Sequence, residues 1–154
     1  MKIILITIVS FLMIRCGTDQ GETKTYNYTI KNNSNLKVEL VPYFNGIVNH
    51  NQKKILQKNE IIDLQKKVIA PYNDGINMTS FFTTNQPYLG SITHIEVVFD
   101  NSKKVIYQEC TDTNQCFNQP RNIFNPIYND NETEVYTITT EDYQNATDCN
   151  GNCY

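Results

Sequence analysis

The chain has 154 residues, and its 13 lysines and arginines against 16 aspartates and glutamates give a formal net charge of −3. This length has room for one domain rather than two. The acidic balance argues against nucleic acid as a partner, because binding to phosphates requires clustered basic side chains. The five cysteines are an odd number, so in an exported chain one of them is left outside any set of disulfides.

The first fifteen residues have the features of a secretory signal. Met1 and Lys2 form a short basic start, and an apolar run extends from residue 3 to residue 14. This run is shorter than the roughly 20 apolar residues that span a bilayer. We therefore predict a targeting segment at residues 1–15, a polar tether at residues 16–24 and one domain at residues 25–154.

A cysteine follows the apolar run directly. The segment Leu12-Met13-Ile14-Arg15-Cys16 resembles the processing site of bacterial lipoproteins, with Arg15 standing where that pattern has a small residue. The resemblance implies that Cys16 is diacylated on its thiol and becomes the new N-terminus. It also implies a lipid-anchored protein of the cell envelope, at the outer membrane and facing the periplasm or the surface. An ordinary secreted protein and an uncleaved anchor are the alternatives.

The other four cysteines form an even set in a chain whose export permits oxidation. They allow three pairings, of which the local one joins Cys110 to Cys116 and Cys149 to Cys153. That pairing closes two small loops and would pin a hairpin tip and the C-terminal segment. The spacings do not match a zinc finger or ribbon, so we predict two disulfides and no metal.

The first half of the domain alternates apolar and polar residues in short runs. Residues 26–30 and 36–40 alternate on either side of the polar cluster 32–35, which predicts a hairpin with one buried face. Apolar residues at 55 and at 61–64 flank a Lys-Asn-Glu turn and predict a second pair of shorter strands. Residues 76–82 are interpreted as a further strand.

The second half contains the clearest alternation in the chain. Residues 93–99 and 103–109 flank an Asp-Asn-Ser turn and predict a hairpin that ends at the first of the paired cysteines. Residues 118–131, with two prolines, predict an irregular crossover, and residues 134–140 predict the last strand. One helical turn follows, with Thr140 as its N-cap.

These seven or eight short strands predict an all-β fold, an antiparallel β-sandwich of immunoglobulin-like or related topology. The mature region is also similar to small exported lipoproteins of the Bacteroidota. The similarity is carried by the Asn/Lys/Ile-rich composition, the turn at residues 30–34, the hairpin between residues 95 and 107 and the closing residues 136–143. It implies a β-sandwich and an envelope location, without an assigned activity.

Few patterns in the sequence carry chemistry. His94 and Glu96 project from one face of a strand, a placement that a base with its orienting carboxylate could have but that is far more typical of an exposed strand pair. Residues 148–152 and 129–134 place oxygen side chains at alternate positions, as calcium loops and plain turns both do. We predict neither a metal nor a cofactor.

Aromatic residues at strand ends and in loops are the remaining indication of function. They either close the ends of the core or present rings to a partner, and Tyr88 and Tyr128 are the candidate binding aromatics. We predict a non-enzymatic binding or structural module of the cell envelope that contacts an envelope protein or a glycan. The alternative is a hydrolase, which requires two carboxylates in one cleft.

Overall fold

The computed structural model describes residues 22–69, 76–83, 89–111, 116–129 and 131–154. Within these ranges the strands are β1 (Thr23–Asn33), β2 (Val38–Phe44), β3 (Ile47–Val48), β4 (Lys54–Leu56), β5 (Ile61–Ile69), β6 (Ile92–Phe99), β7 (Lys103–Gln108), β8 (Thr133–Thr139) and β9 (Thr147–Asp148). The helices are α1 (Ser80–Thr83) and α2 (Thr140–Asn145), with short 3-10 helices at His50–Gln52, Cys116–Asn118 and Pro126–Tyr128.

The strands form two sheets that pack face to face. The smaller sheet has the order β5-β1-β8, and the larger has the order β3-β2-β6-β7-β9, with β4 paired to β2. Tyr28, Ile30 and Tyr136 from the smaller sheet join Leu40 and Ile95 from the larger one in the buried core. The predicted all-β sandwich is therefore confirmed, and the described residues contain nine strands where seven or eight were expected.

One pairing departs from the predicted antiparallel arrangement. β1 and β8 run parallel, with Asn27 opposite Thr133 and Asn33 opposite Thr139. The reason is the loop after β7, which delivers the chain to the end of the sandwich where β1 begins. A strand that starts there and lies beside β1 must run in the same direction as β1.

The polar turn after β1 carries the chain from one sheet to the other, so the predicted hairpin is wrong. β1 pairs with β5 and β8, whereas β2 pairs with β3, β4 and β6. The buried Asn32 holds this crossing, because its Nδ2 donates to the carbonyl oxygens of Leu36 (2.7 Å), Leu56 (3.2 Å) and Gln57 (3.0 Å). Its Oδ1 accepts from the backbone and the hydroxyl of Ser34.

The second predicted pair of strands divides in the same way. β4 pairs with β2 in the larger sheet, and β5 pairs with β1 in the smaller one. Asn59 takes a left-handed conformation between them, with φ of 62°. β5 is nine residues long, which is longer than the sequence indicated.

The hairpin of β6 and β7 is confirmed. Ile95 lies opposite Tyr107 and Val97 opposite Val105, and the turn between the strands contains Asp100 with φ of 46°. The last predicted strand is also present, as β8. Burial alternates along β8, because successive side chains of a strand point to opposite faces. Residues 95–99 of β6 are all buried, so both faces of that strand are covered.

Residues 76–82 do not form the predicted strand. Ile76 and Met78 are buried, and the chain then turns into α1, where the consecutive residues Phe81 and Phe82 are both buried. A strand would point two consecutive side chains to opposite faces, so burying both rings on the same side requires a helical turn.

The final helix begins one residue earlier than predicted. Thr139, rather than Thr140, is its N-cap, and the buried carboxylate of Asp142 accepts from the Thr139 backbone N–H at 2.6 Å. The same carboxylate accepts from Arg121 Nε at 2.8 Å. This ion pair joins the loop before β8 to the helix that follows β8.

The four paired cysteines adopt the local one of the three pairings. Cys110 is bonded to Cys116, with 5.3 Å between the Cα atoms, and Cys149 is bonded to Cys153, with 5.1 Å. Both separations fall in the usual disulfide range of about 4.4–6.8 Å. The first bond ties the loop after β7 to the end of that strand, and the second closes the segment 149–154.

We expect Asn32→Ala to lower the free energy of unfolding by about 2–4 kcal/mol, because the change leaves buried carbonyl groups without their donor. The matched control is Asn33→Ala, at an exposed position on the same strand, for which we expect a loss of at most about 0.5 kcal/mol. Urea denaturation measures both, and equal losses would show that the amide does not hold the crossing between sheets.

Candidate functional site

A cleft of about 410 Å³ opens at the end of the sandwich where β6 begins and β7 ends. Its floor includes the buried side chains of Ile92 and Ile123. Phe124 and Pro126 line one wall, and the polar residues of the rim are Asn77, Thr79, Thr83, Ser91, Glu109 and Asn129. Three separate parts of the chain therefore build it.

The segment before α1 supplies one side of the cleft. The buried residues Ile76 and Met78 fix this segment to the core, and the exposed Asn77 lies between them. Thr79 Oγ1 donates to Asn77 Oδ1 at 2.6 Å, and the backbone N–H of Ser80 donates to the Asn77 carbonyl at 3.0 Å. These bonds close the turn that leads into α1 and hold both polar side chains at the rim.

The loop after the first disulfide supplies the opposite side, and two buried asparagines shape it. Asn122 Nδ2 donates to the Gln108 carbonyl at 3.0 Å, and its Oδ1 accepts from the Phe124 N–H at 3.0 Å. Asn125 Nδ2 donates to the Cys116 carbonyl at 2.8 Å. These amides fix the backbone that carries the Phe124 ring.

The ends of β6 and β7 form the third part of the rim. Gly90 has φ of +85°, and a Cβ atom built on it would lie 2.3 Å from Nδ2 of Asn45. Asn45 also donates its backbone N–H to the Ser91 carbonyl at 2.9 Å. The left-handed backbone favours glycine at this point, and any other side chain would also have to displace the Asn45 side chain.

The residues that line the cleft are mostly uncharged. Glu109 is the one charged residue among the described residues that line it. The other polar groups are amides and hydroxyls, which donate and accept hydrogen bonds without a net charge. Together with the Phe124 ring and an apolar floor, they suit an uncharged, hydroxyl-rich ligand with an apolar face.

A pair of carboxylates does occur, but on the outer face of the larger sheet. Glu39 on β2 lies opposite Val98, and Glu96 on β6 lies opposite Val41. The two glutamates are thus diagonal neighbours on adjacent strands, at a spacing of about 7 Å. Both are buried, since the segment 149–154 covers this face and places Tyr154 Oη 2.7 Å from Glu39 Oε2.

Lysines neutralise both carboxylates. Glu39 lies 2.8 Å from Lys37 Nζ and 2.6 Å from Lys53 Nζ, and Glu96 lies 2.6 Å from Lys104 Nζ. Burial alone raises the pKa of Glu39, but hydrogen bonds from Lys37, Lys53 and Tyr154 outweigh it and lower the pKa to about 2. A general acid needs a raised pKa, and the lowered pKa of Glu39 does not fit that role.

The interpretation of His94 and Glu96 as an exposed strand pair is corrected by the burial of Glu96, which is 2% exposed. Tyr43 Oη donates to Glu96 Oε2 at 3.2 Å, and the Tyr43 ring packs edge-on against His94. His94 Nδ1 lies 2.9 Å from the Thr93 hydroxyl. The groups that bond to the Glu96 carboxylate are therefore the Lys104 ammonium and the Tyr43 hydroxyl.

The sequence-predicted aromatics have different positions. Tyr128 is half-buried, and its hydroxyl donates to the Pro120 carbonyl at 2.7 Å while its ring packs edge-on against Tyr136. Tyr88 and Cys16 lie outside the described residues. Phe124 was one of several loop aromatics in the sequence and had no signal to distinguish it, since its place at the cleft depends on the buried asparagines.

In the two segments whose spacing resembles a calcium loop, side-chain oxygens accept hydrogen bonds from nearby residues. Asp148 Oδ1 accepts from the Asn150 N–H at 2.7 Å, and Glu134 accepts from the Asn131 side chain. In the described ranges, no group of three or more histidine, cysteine or acidic side chains is placed to hold a metal ion. No helix of the same ranges is both long and apolar enough to cross a bilayer.

Comparisons of the chain with protein-family models, with curated proteins and with solved structures find no match.

The outer-face ion pairs predict a specific dependence of stability on pH. Because the pKa of Glu39 falls from 4.5 to about 2 on folding, its contribution is complete above pH 4.5 and is lost as the pH falls towards 2. We expect a loss of about 1–2 kcal/mol in this window, since the half-exposed lysines are screened by solvent. Glu39→Gln should flatten the stability curve there, whereas Glu60→Gln, at an exposed turn, should not. Unfolding by urea at pH 2.5–6 measures both, and identical curves would refute the assignment.

Proposed function

We propose that this protein is a non-enzymatic saccharide-binding module of the cell envelope, anchored to the membrane by acylated Cys16. The observation that carries the proposal is the cleft, which combines an apolar floor and the Phe124 ring with uncharged polar groups at Asn77, Thr79 and Asn129. A sugar ring has the matching chemistry, because its hydroxyls bond to amides while its carbon face stacks on an aromatic ring.

The cleft and the start of β1 lie at the same end of the sandwich, which supports a ligand that is bound near the membrane. β1 ends where β2 begins, so β1 begins at the end of the sandwich where β2 finishes and β6 starts. The cleft opens at this same end. The chain from residue 16 to Thr23 reaches at most about 25 Å, which keeps the start of the domain close to the acylated residue.

The hydrolase alternative has less support. It needs two carboxylates at roughly 5–10 Å, one of them with a raised pKa. The described lining of the cleft contains Glu109 alone, and the Glu39–Glu96 pair is buried in ion pairs on another face. Binding without reaction is therefore the function that these residues fit.

Binding to the cleft is tested with the Cys16→Ser chain and two neutral probes, chitotetraose and cellotetraose, by isothermal titration calorimetry. We expect Phe124→Ala to weaken the binding of the preferred probe about tenfold or more, because stacking on the ring is lost. The control is Tyr143→Ala, which removes a half-buried ring that packs against Phe99 at the other end of the sandwich. Binding by neither probe, or equal weakening by both variants, would overturn the proposal.

The anchor is tested by mass spectrometry of the N-terminus after expression in a Gram-negative host. We expect a mature chain that begins at Cys16 and carries acyl chains, and we expect Cys16→Ser to abolish the acylation. Arg15→Ala should raise the processed fraction, since it supplies the small residue that lipoprotein processing sites have. An unmodified Cys16 or an intact Met1 in the native chain would refute the anchor.

A further inference from the structure

β5 is a long strand at the edge of the smaller sheet. It runs for nine residues, from Ile61 to Ile69, and in the described part of the chain it pairs with β1 alone. Its two terminal isoleucines are 48% and 62% exposed. An edge strand of this length presents a row of backbone groups to which another strand can pair.

Alternate residues of β5 direct their backbone groups to this open edge. The Asn32 N–H donates to the Glu60 carbonyl at 2.9 Å, which shows that even-numbered residues face β1. In an antiparallel ladder the facing alternates, so the odd-numbered residues turn their N–H and C=O groups outward. The side chains of these same residues are all exposed; they are Ile61, Asp63, Gln65, Lys67 and Ile69.

The sequence of β5 complements itself when it is read in the opposite direction. About Gln65 as the midpoint, Ile61 falls opposite Ile69 and Asp63 falls opposite Lys67. We propose that two copies of this chain associate through antiparallel pairing of β5 with β5, on a two-fold axis at Gln65. The result is a continuous six-stranded sheet, in which each copy contributes the same surface.

The side chains favour a second copy over an unrelated strand. Lysines on a sheet edge discourage pairing with a strand that lacks an acid to meet them. Here Lys67 of each copy meets Asp63 of the other, so the two-fold arrangement forms two ion pairs. Asp63 already accepts from Thr29 Oγ1 at 2.7 Å, and a carboxylate has further lone pairs for the lysine.

The register is also determined by this pattern. A shift of two residues in one direction sets Asp63 opposite Ile69, and a shift in the other sets Lys67 opposite Ile61. Both shifts lose the ion pairs and the contact between the terminal isoleucines. On the inner face, the proposed register sets Ile62 opposite Val68 and Leu64 opposite Lys66, so it is the outer face that determines the register.

Cysteine trapping tests the two-fold axis in the chain that carries Cys16→Ser. In the proposed register Gln65→Cys lies opposite itself, with about 5.5 Å between Cα atoms, which a disulfide can bridge. The control Lys67→Cys lies four residues away from its counterpart, about 13 Å along the strand. We expect a covalent dimer from Gln65→Cys alone under mild oxidation. No dimer from it, or as much dimer from the control, would overturn the proposal.

A charge exchange tests the ion pairs independently. We expect Asp63→Lys and Lys67→Asp each to raise the dimer dissociation constant about tenfold or more, because each sets like charges opposite one another. The double variant Asp63→Lys with Lys67→Asp should restore the dissociation constant to within about threefold of the parent. Sedimentation equilibrium measures all four chains, and thermal melts confirm that each is folded. A parent chain that stays monomeric, or a double variant that is not rescued, would contradict the pairing.

Discussion

The crossing of the chain from one sheet to the other depends on a single buried side chain. Asn32 lies near the end of β1, is fully buried, and bonds to the backbone of two segments, the turn after β1 at Ser34 and Leu36 and the end of β4 at Leu56 and Gln57. An amide has two donors and a carbonyl with two lone pairs, so it can satisfy several buried backbone groups at once. This contact joins the turn that leads into β2 to the end of β4, beside the ladder that pairs β1 with β5.

The cleft depends on the same kind of interaction. Asn122 and Asn125 are 1% and 0% exposed, and both bond to backbone groups in the loop that carries Phe124. The loop's own backbone bonds close single turns, such as the bond from the Asn122 N–H to the Gln119 carbonyl, and the buried amides join these turns to one another and to β7. The abundance of asparagine in the sequence indicated turns, and the structure shows that some asparagines act as internal supports for those turns.

The sequence identified the buried faces of strands better than their partners. Alternation correctly predicted the β6–β7 hairpin, where the two strands are joined by a tight turn and pair with each other. It failed for β1 and β2 because alternation records only which side chains are buried, and both layers of a sandwich bury one face. The parallel pairing of β1 with β8 joins residues about a hundred positions apart, so no local pattern could predict it.

The candidate site was less predictable than the strands, because it also depends on contacts between residues that are far apart in the sequence. The cleft combines residues from three distant segments, and its polar residues are common types in turns. The sequence presented Glu96 as half of an exposed pair, whereas the segment 149–154 covers it and Lys104 neutralises it. Coverage of a sheet face by a distant segment is a tertiary effect that the strand's own alternation does not record.

The proposed anchor and the proposed dimer constrain each other. Antiparallel pairing of β5 sets Thr23 of one copy level with Lys31 of the other, so the two chain starts lie about 30 Å apart. Tethers that reach at most about 25 Å can attach both copies to one bilayer only if the strands lie along its surface. The two clefts then open sideways in opposite directions rather than towards the lipid. Two such anchors would also hold the dimer on the bilayer far more firmly than one, because the second acyl group inserts at a high effective concentration.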